Sequence, residues 1–412
     1  MRKIMASLDV GSDTVKLVVG EVYKKKLNIL AIAESNSQGV KKGIVENQNQ
    51  LIYGIKDVIT KCESIIGLKI KQMIVSVPSN EAAFKIVEGT ISIDNPDQVI
   101  EGTDVIKAFK TAIKTYRDET MEYITLMPTG FSLSDGRIVK DPKGLTSTTL
   151  TVRGVLVSTP KINIYPILDC LDKLNIEVLD ITLDAIGDYF EIRNKDIDKQ
   201  LGALINIGSD KTTLSIFNKG VITNSKIIGI GGKNIENDLS YLYKISLTDS
   251  KYLKEKISVA SMKNAQESEI IEIENANKEI LQLTQKDITQ VVNSRIEEIL
   301  NLCKKEINYL TKKQISYIIF TGGLTECRDF IIPLEEIFGK TAKVGVIEEI
   351  GARDNKYSSC LGLLKFYAAT AELKNKDYSI FTIEEQQELS GADLGTQEES
   401  VVSKLFGYIF NN

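Results

Sequence analysis

Two short turns, each between runs of β-branched residues, have the residue types that handle phosphate. The first is Asp9-Val10-Gly11-Ser12-Asp13. A tight Gly-Ser turn lets backbone N–H groups approach phosphate oxygens closely. The carboxylate of Asp9 could hold a magnesium ion through water, and Lys16 could bring a positive charge to the phosphate. The second turn is Asn206-Ile207-Gly208-Ser209-Asp210-Lys211-Thr212-Thr213. A third segment, Gly229-Ile230-Gly231-Gly232, opens an expected helix carrying Asn234 and Asp238, where the helix dipole and free N–H groups would attract an anion. The fourth is Thr321-Gly322-Gly323 after an apolar run, where small residues would let a flat base lie against the backbone. Each of these alone reads equally well as an ordinary turn. The four together, in this order, read as a nucleotide cleft.

Other chemistries are excluded by composition. The 412 residues include no histidine, which removes Ser-His-Asp triads, Cys-His pairs and histidine metal sites. The five cysteines, Cys62, Cys170, Cys303, Cys327 and Cys360, are far apart and form no CxxC pair, so a reducing cytoplasm is expected. The net charge is -5, with no long basic patch, and no nucleic-acid partner is expected. Asp9 and Asp13 interrupt any signal-peptide core near the N-terminus, and no stretch reaches the ~18 apolar residues of a membrane span.

The elements that must position these turns follow from periodicity. Residues 3–35 read as strand, turn, strand, turn, strand, and 202–229 repeat that order with the glycine turn at the same point. Two such units about two hundred residues apart imply a duplicated α/β fold. Helices are expected at 48–67, near 101–116 and at 162–175, with strands at 73–78 and 177–183. The stretch 81–165 differs in character and reads as an inserted α+β module, with 131–147 as loop. Residues 262–312 read as long, charged and helical, with an apolar stripe of Ile288, Val291, Val292, Ile296, Ile299, Leu300, Cys303, Ile307 and Leu310. The expected domains are 1–80 with 166–195 as a first half, 81–165 as the insert, and 196–371 as a second half with a helical subdomain at about 235–312. The polar, acidic 372–399 reads as a disordered linker and 400–412 as an amphipathic helix.

This order of segments resembles the actin, sugar-kinase and heat-shock-chaperone ATPase superfamily, and within it the FtsA family of bacterial division proteins. The stretches that carry the likeness are MPTGFSLSDGRIVKDPKGLTS, KIIGIGGKNIENDLSYLYKISLTDSKYLK and NSRIEEILNLCKKEI, with an apolar tail after an acidic linker. The resemblance implies an actin-like fold with an SHS2-like insert, and ATP with magnesium in the cleft. It places Asp9, Gly11, Ser12, Lys16, Asn206, Gly208, Ser209, Lys211, Thr212, Gly231, Gly232, Lys254, Gly322 and Gly323 at the nucleotide, with Asp9 as the metal residue. It also implies self-association into filaments, a site for the C-terminal peptide of FtsZ near 295–312, and a place on the inner face of the cytoplasmic membrane at the division site. The chain departs from the family pattern where Asp-Ile-Gly-Gly-Gly-Thr-Thr-Asp is expected, because Asn206, Ser209 and Asp210 replace the leading carboxylate and two glycines. Asp184-Ala185 stands for a Glu-Pro pair, and Lys251 for a glutamate. These departures imply a structural ligand rather than an enzyme that turns ATP over.

In helical register Val401, Val402, Leu405, Phe406, Ile409 and Phe410 share one apolar face, and Lys404 lies beside it. A twelve-residue helix is ~18 Å long, too short to cross a bilayer but able to lie in its interface. The same tail could instead dock on the core or remain unstructured. Two other readings share the fold: a type IV pilus assembly protein of the PilM kind, and an active ATPase or sugar kinase.

Overall fold

The computed structural model describes residues 3–23, 26–114, 116 and 118–374. The chain begins with β1 (Lys3–Val10), β2 (Thr14–Tyr23) and β3 (Lys26–Asn36), then a small hairpin of β4 (Val40–Lys41) and β5 (Ile44–Val45). Helix α1 (Gln48–Ile66) and β6 (Gln72–Val77) follow. Asn47 caps α1 by accepting from the Gln50 N–H at 3.2 Å, and Leu51, Ile55, Val58, Ile59 and Cys62 form its buried face. Next come β7 (Ala83–Ser92), α2 (Gly102–Lys114), β8 (Met121–Leu133), β9 (Ile138–Val139) and β10 (Thr149–Pro160). Then α3 (Tyr165–Asp172), β11 (Glu177–Leu183) and α4 (Asp184–Ile192) lead to β12 (Leu201–Ile207), β13 (Thr212–Asn218) and β14 (Val221–Ile228). Helices α5 (Gly232–Tyr243) and α6 (Leu247–Tyr252) precede β15 (Ile270–Glu274), β16 (Ile280–Thr284) and α7 (Gln285–Leu310). The described chain closes with β17 (Tyr317–Thr321), α8 (Ile331–Phe338), β18 (Ala342–Val344) and α9 (Ser358–Leu373).

The strands build two sheets of the same topology. One has the order β3-β2-β1-β6-β11, the other β14-β13-β12-β17-β18. In each, the first three strands are antiparallel and the last two join in parallel. A third sheet, β7-β10-β8-β9, is built wholly from residues 83–160 and packs its apolar face on α2. Residues 121–133, at whose end a loop is expected from sequence, form the long β8 beside β10.

The expectation of continuous helix from 262 fails up to Thr284. Ile270–Glu274 and Ile280–Thr284 pair as an antiparallel hairpin instead. Ile271 and Ile273 face the core with Leu281 and Leu283, the period of two that a strand requires. From Gln285 onward the expected stripe holds, with Ile288, Val292, Ile296, Ile299, Leu300, Cys303 and Ile307 buried. Helix α9 begins within 196–371 in sequence and ends at Leu373, and it returns to the first sheet. There Leu361, Leu363 and Leu364 pack with Met5, Val18 and Ile74. The five cysteines are all unpaired. Among the described residues no helix is long and apolar enough to cross a membrane.

Candidate functional site: a cleft between two hairpin turns

The β1–β2 turn and the β12–β13 turn are closed by the same hydrogen bond. The Gly11 N–H donates to the Thr14 carbonyl at 3.0 Å, and the Gly208 N–H to the Lys211 carbonyl at 3.0 Å. Both turns open onto one cleft of about 480 Å³. Of the residues expected at a nucleotide, Asp9, Gly11, Ser12, Lys16, Asn206, Gly208, Ser209, Lys211, Gly232, Lys254, Gly322 and Gly323 line it.

Thr212 and Gly231 do not. Thr212 is fully buried and donates its hydroxyl to the Ile230 carbonyl at 2.8 Å. Gly231 is glycine because the second turn presses on it: a Cβ there would sit 2.4 Å from the Ser209 carbonyl oxygen. The N-terminus of α5, expected to offer free N–H groups to an anion, is already engaged. Gly232 and Lys233 donate to the Gly208 and Ser209 carbonyls at 2.9 Å each, and Gly231 donates to Asn234 Oδ1 at 3.0 Å. The helix therefore braces the second turn rather than presenting a bare anion site. The two glycines after β17 also divide their work. Gly322 has φ +90°, and a Cβ there would lie 2.5 Å from Asn206 Oδ1, whereas Gly323 is exposed to the cleft. The expected membrane residues Val402, Lys404, Leu405, Phe406, Ile409 and Phe410 lie outside the described residues.

The charges at the phosphate end are paired. Lys16 Nζ lies 3.0 Å from Asp9 Oδ2, and Ser76 Oγ donates to Asp9 Oδ1 at 2.5 Å. Burial alone would raise the Asp9 carboxyl, but Lys16 and Ser76 outweigh it and hold the carboxyl below its usual range. Burial would likewise depress the Lys16 ammonium, and Asp9 reverses that and raises it. Lys211 reaches from the second turn to the first half of the molecule, donating to Asp184 Oδ2 at 3.2 Å and Asn80 Oδ1 at 3.3 Å. Lys251 of α6 crosses the cleft to Asp13 at 2.8 Å, so the position where the family pattern has a glutamate carries an ion pair of the opposite sense. Lys356 bridges to Glu34 at 2.8 Å.

Behind Asn206 sits a carboxyl that no sequence motif singles out. Asp188 accepts from Asn206 Nδ2 at 2.8 Å and from Ser358 Oγ at 2.5 Å. Burial is the main cause that pushes its carboxyl up to about 7, and the negative charges of Asp184 and Asp9 add to it. The signal that could have found it is the i, i+4 spacing of Asp184 and Asp188, which puts both on one face of α4.

A magnesium ion needs oxygen donors with lone pairs to spare. Asp9 commits both oxygens to Lys16 and Ser76. Asp184 Oδ1 accepts from the Ser79 N–H, the Ser79 hydroxyl and the Ala185 N–H, and its Oδ2 faces Lys211. Position 206 is an amide. Among the described residues no three carboxylate or cysteine side chains converge as an ion site. The residues present do not fit the magnesium of the implied ATP complex.

The profile of Cell division protein FtsA matches residues 203–362. Over 377 residues the chain is 26% identical to the Cell division protein FtsA of Bacillus subtilis, covering 91% of this chain and 86% of the relative. The FtsA of Enterococcus hirae is 22% identical over 399 residues, 96% of this chain and 89% of that one. This chain is similar to FtsA proteins over most of its length. Solved structures show its fold to be actin-like. A PilM-PilN type IV pilus biogenesis complex matches with TM-score 0.59 at 11% identity, covering 87% of this chain and 97% of that one. MreB5 of Spiroplasma citri bound to ADP matches with TM-score 0.57 at 14% identity, covering 90% of this chain and 99% of that one. The FtsA likeness covers 91% of the chain, whereas the PilM likeness is one of fold alone.

Proposed function

We propose that this chain is a cell-division scaffold of the FtsA type, which binds ATP in the cleft as a structural ligand. In this reading it associates into filaments, takes the C-terminal peptide of FtsZ near 295–312, and holds the division ring to the cytoplasmic face of the membrane through its C-terminal residues. One observation carries it: two turns closed by the same bond face one cleft, in a chain that aligns with FtsA over nine-tenths of its length. The MreB5 neighbours, solved with ADP and with AMPPNP, support a nucleotide as the cleft's occupant. A scaffold rather than a catalyst suits this cleft. Asp184 is held by Ser79 and Lys211, and Asp188 is buried and hydrogen-bonded, so neither is poised to take a proton from water.

The membrane role is tested with the full chain and vesicles of phosphatidylglycerol and phosphatidylethanolamine. A fully buried Leu or Phe gains about 1.5–3 kcal/mol, and interfacial residues gain less, so one tail binds weakly and several joined in a filament bind firmly. The double substitution Phe406→Glu with Ile409→Glu puts charge on the apolar face of the tail. It is expected to leave the protein in the supernatant after sedimentation, with an unchanged circular dichroism spectrum. A double mutant that still pellets with lipid removes the tail as the anchor. One that unfolds makes the tail part of the core.

A further inference from the structure

We infer that the cleft takes a nucleoside polyphosphate without a divalent cation, the Lys211 ammonium standing where the cation would be. This rests on the nucleotide reading above. The carboxylates around the two turns are already neutralised. Asp9, Asp13, Asp184 and Asp210 lie 3.0, 2.8, 3.2 and 3.9 Å from the ammonium groups of Lys16, Lys251, Lys211 and Lys233. A divalent ion gains most where several carboxylates leave their negative charge unshared, and here each has a lysine. To bind the oxygens of Asp9 or Asp184 an ion would have to displace the largely buried ammonium of Lys16 or Lys211 and strand it in the cleft.

Lys211 is the central group. It grows from the second turn, next to Gly208, yet its side chain ends against Asn80, Asp184 and Gly43 of the first half. It thus occupies the gap between the two phosphate turns. An ammonium has three N–H donors, and Asp184 and Asn80 take two of them. The third is left for a phosphate oxygen. Its positive charge is felt as far as Asp9, whose carboxyl it helps to hold down. Lys254 lines the same cleft beside Gly232, with its ammonium paired to Glu236. Three positions around the cleft then act in one direction. The amide at Asn206 removes a cation ligand, the lysine at 211 supplies fixed positive charge, and Lys251 neutralises Asp13.

The test is a titration of the full chain with fluorescent methylanthraniloyl-ATP, once with excess magnesium chloride and once with excess EDTA. The dissociation constants are expected to agree within about threefold, less than the tenfold step that 1.4 kcal/mol represents. Binding that weakens by about tenfold or more in EDTA overturns the inference and leaves the nucleotide reading standing. No binding in either solution removes the nucleotide reading, and the inference with it. Lys211→Met is expected to weaken binding in EDTA by about ten- to a hundredfold, the worth of a hydrogen bond to a charged group. Lys211→Arg keeps the charge and should retain binding in EDTA, with thermal melts reporting folding of both. Lys211→Asp should bind poorly in EDTA and regain affinity when magnesium is added. A Lys211→Met protein that is folded and binds in EDTA as the wild type does overturns the role given to this lysine.

Discussion

Asp188 shows how one side chain behind the cleft sets a pH dependence. Its carboxyl is pushed up to about 7 in the fold, against an ordinary value of 3.8. Between those two values the native state holds a proton that the unfolded chain releases. Stability from this group is therefore full below about pH 4 and falls as pH rises toward about 7. The loss is at most about 4 kcal/mol, since each tenfold change in proton affinity is worth about 1.4 kcal/mol. Asp188→Asn keeps the shape of the protonated acid, with an amide NH2 and a carbonyl in place of its O–H and carbonyl, and it cannot ionise. Urea unfolding at about pH 5 and about pH 8 should show a smaller fall in stability for the variant than for the wild type. An equal fall in both proteins would mean that Asp188 is ionised throughout and that Asn206 and Ser358 stabilise its charge.

At the scale of elements, α5 and α7 are held together by a guanidinium fork. Arg295 donates from Nε to Asp238 Oδ2 at 2.7 Å and from an Nη to Asp238 Oδ1 at 2.9 Å, and it also meets Glu298 on its own helix. The two parallel bonds fix the rotation of one helix against the other, which a single point charge cannot do. Both partners are partly exposed, so the pair is worth less than a buried one. Arg295→Ala is expected to cost about 1–2 kcal/mol in chemical denaturation, and Arg295→Lys to recover less than half of that. Full recovery by lysine would mean that charge alone matters here. The apolar stripe of α7 was readable because nearly every member repeats at helical spacing. The hairpin before it was not, because Glu272, Glu274, Lys278, Glu279 and Gln282 on its exposed side resemble a solvated helix face. Only the paired register of Ile271 and Ile273 with Leu281 and Leu283 separates the two.

The two halves of the whole molecule are joined beneath the cleft by apolar packing more than by the charges that cross it. Phe217 of β13 stacks on Tyr189 of α4 with ring centroids 4.0 Å apart and planes 9° from parallel, both fully buried. Leu204, Val221, Ile222 and Tyr317 from the second half join the core of the first around them. The Lys251–Asp13 pair above is 37% and 40% exposed, and pairs so placed are worth less than about 1 kcal/mol. Truncating a buried phenylalanine costs about 3–5 kcal/mol. Phe217→Ala should therefore destabilise the protein several times more than Asp13→Asn, and the wild type should unfold in one calorimetric transition. Two separated transitions, or a larger loss from Asp13→Asn, would mean that the cleft charges and not the shared core hold the halves together.

The sequence alone determined what depends on local order. The repeated strand-turn-strand units, the two phosphate-type turns, the stripe of α7 and the family likeness all lie in contiguous residues, where periodicity and turn chemistry are visible. It could not say what those turns face. That Lys211 ends between Asp184 and Asn80, that Lys251 spans to Asp13, and that α5 spends its first N–H groups on the second turn are contacts between residues up to 238 apart. Pairings over such separations exist only once two sheets have been brought together by a shared core, and no local pattern encodes them. The same holds for Asp188. An aspartate on a short helix looks solvated in sequence, and only the packing of α9 and β12 around it removes the water and lifts its proton affinity.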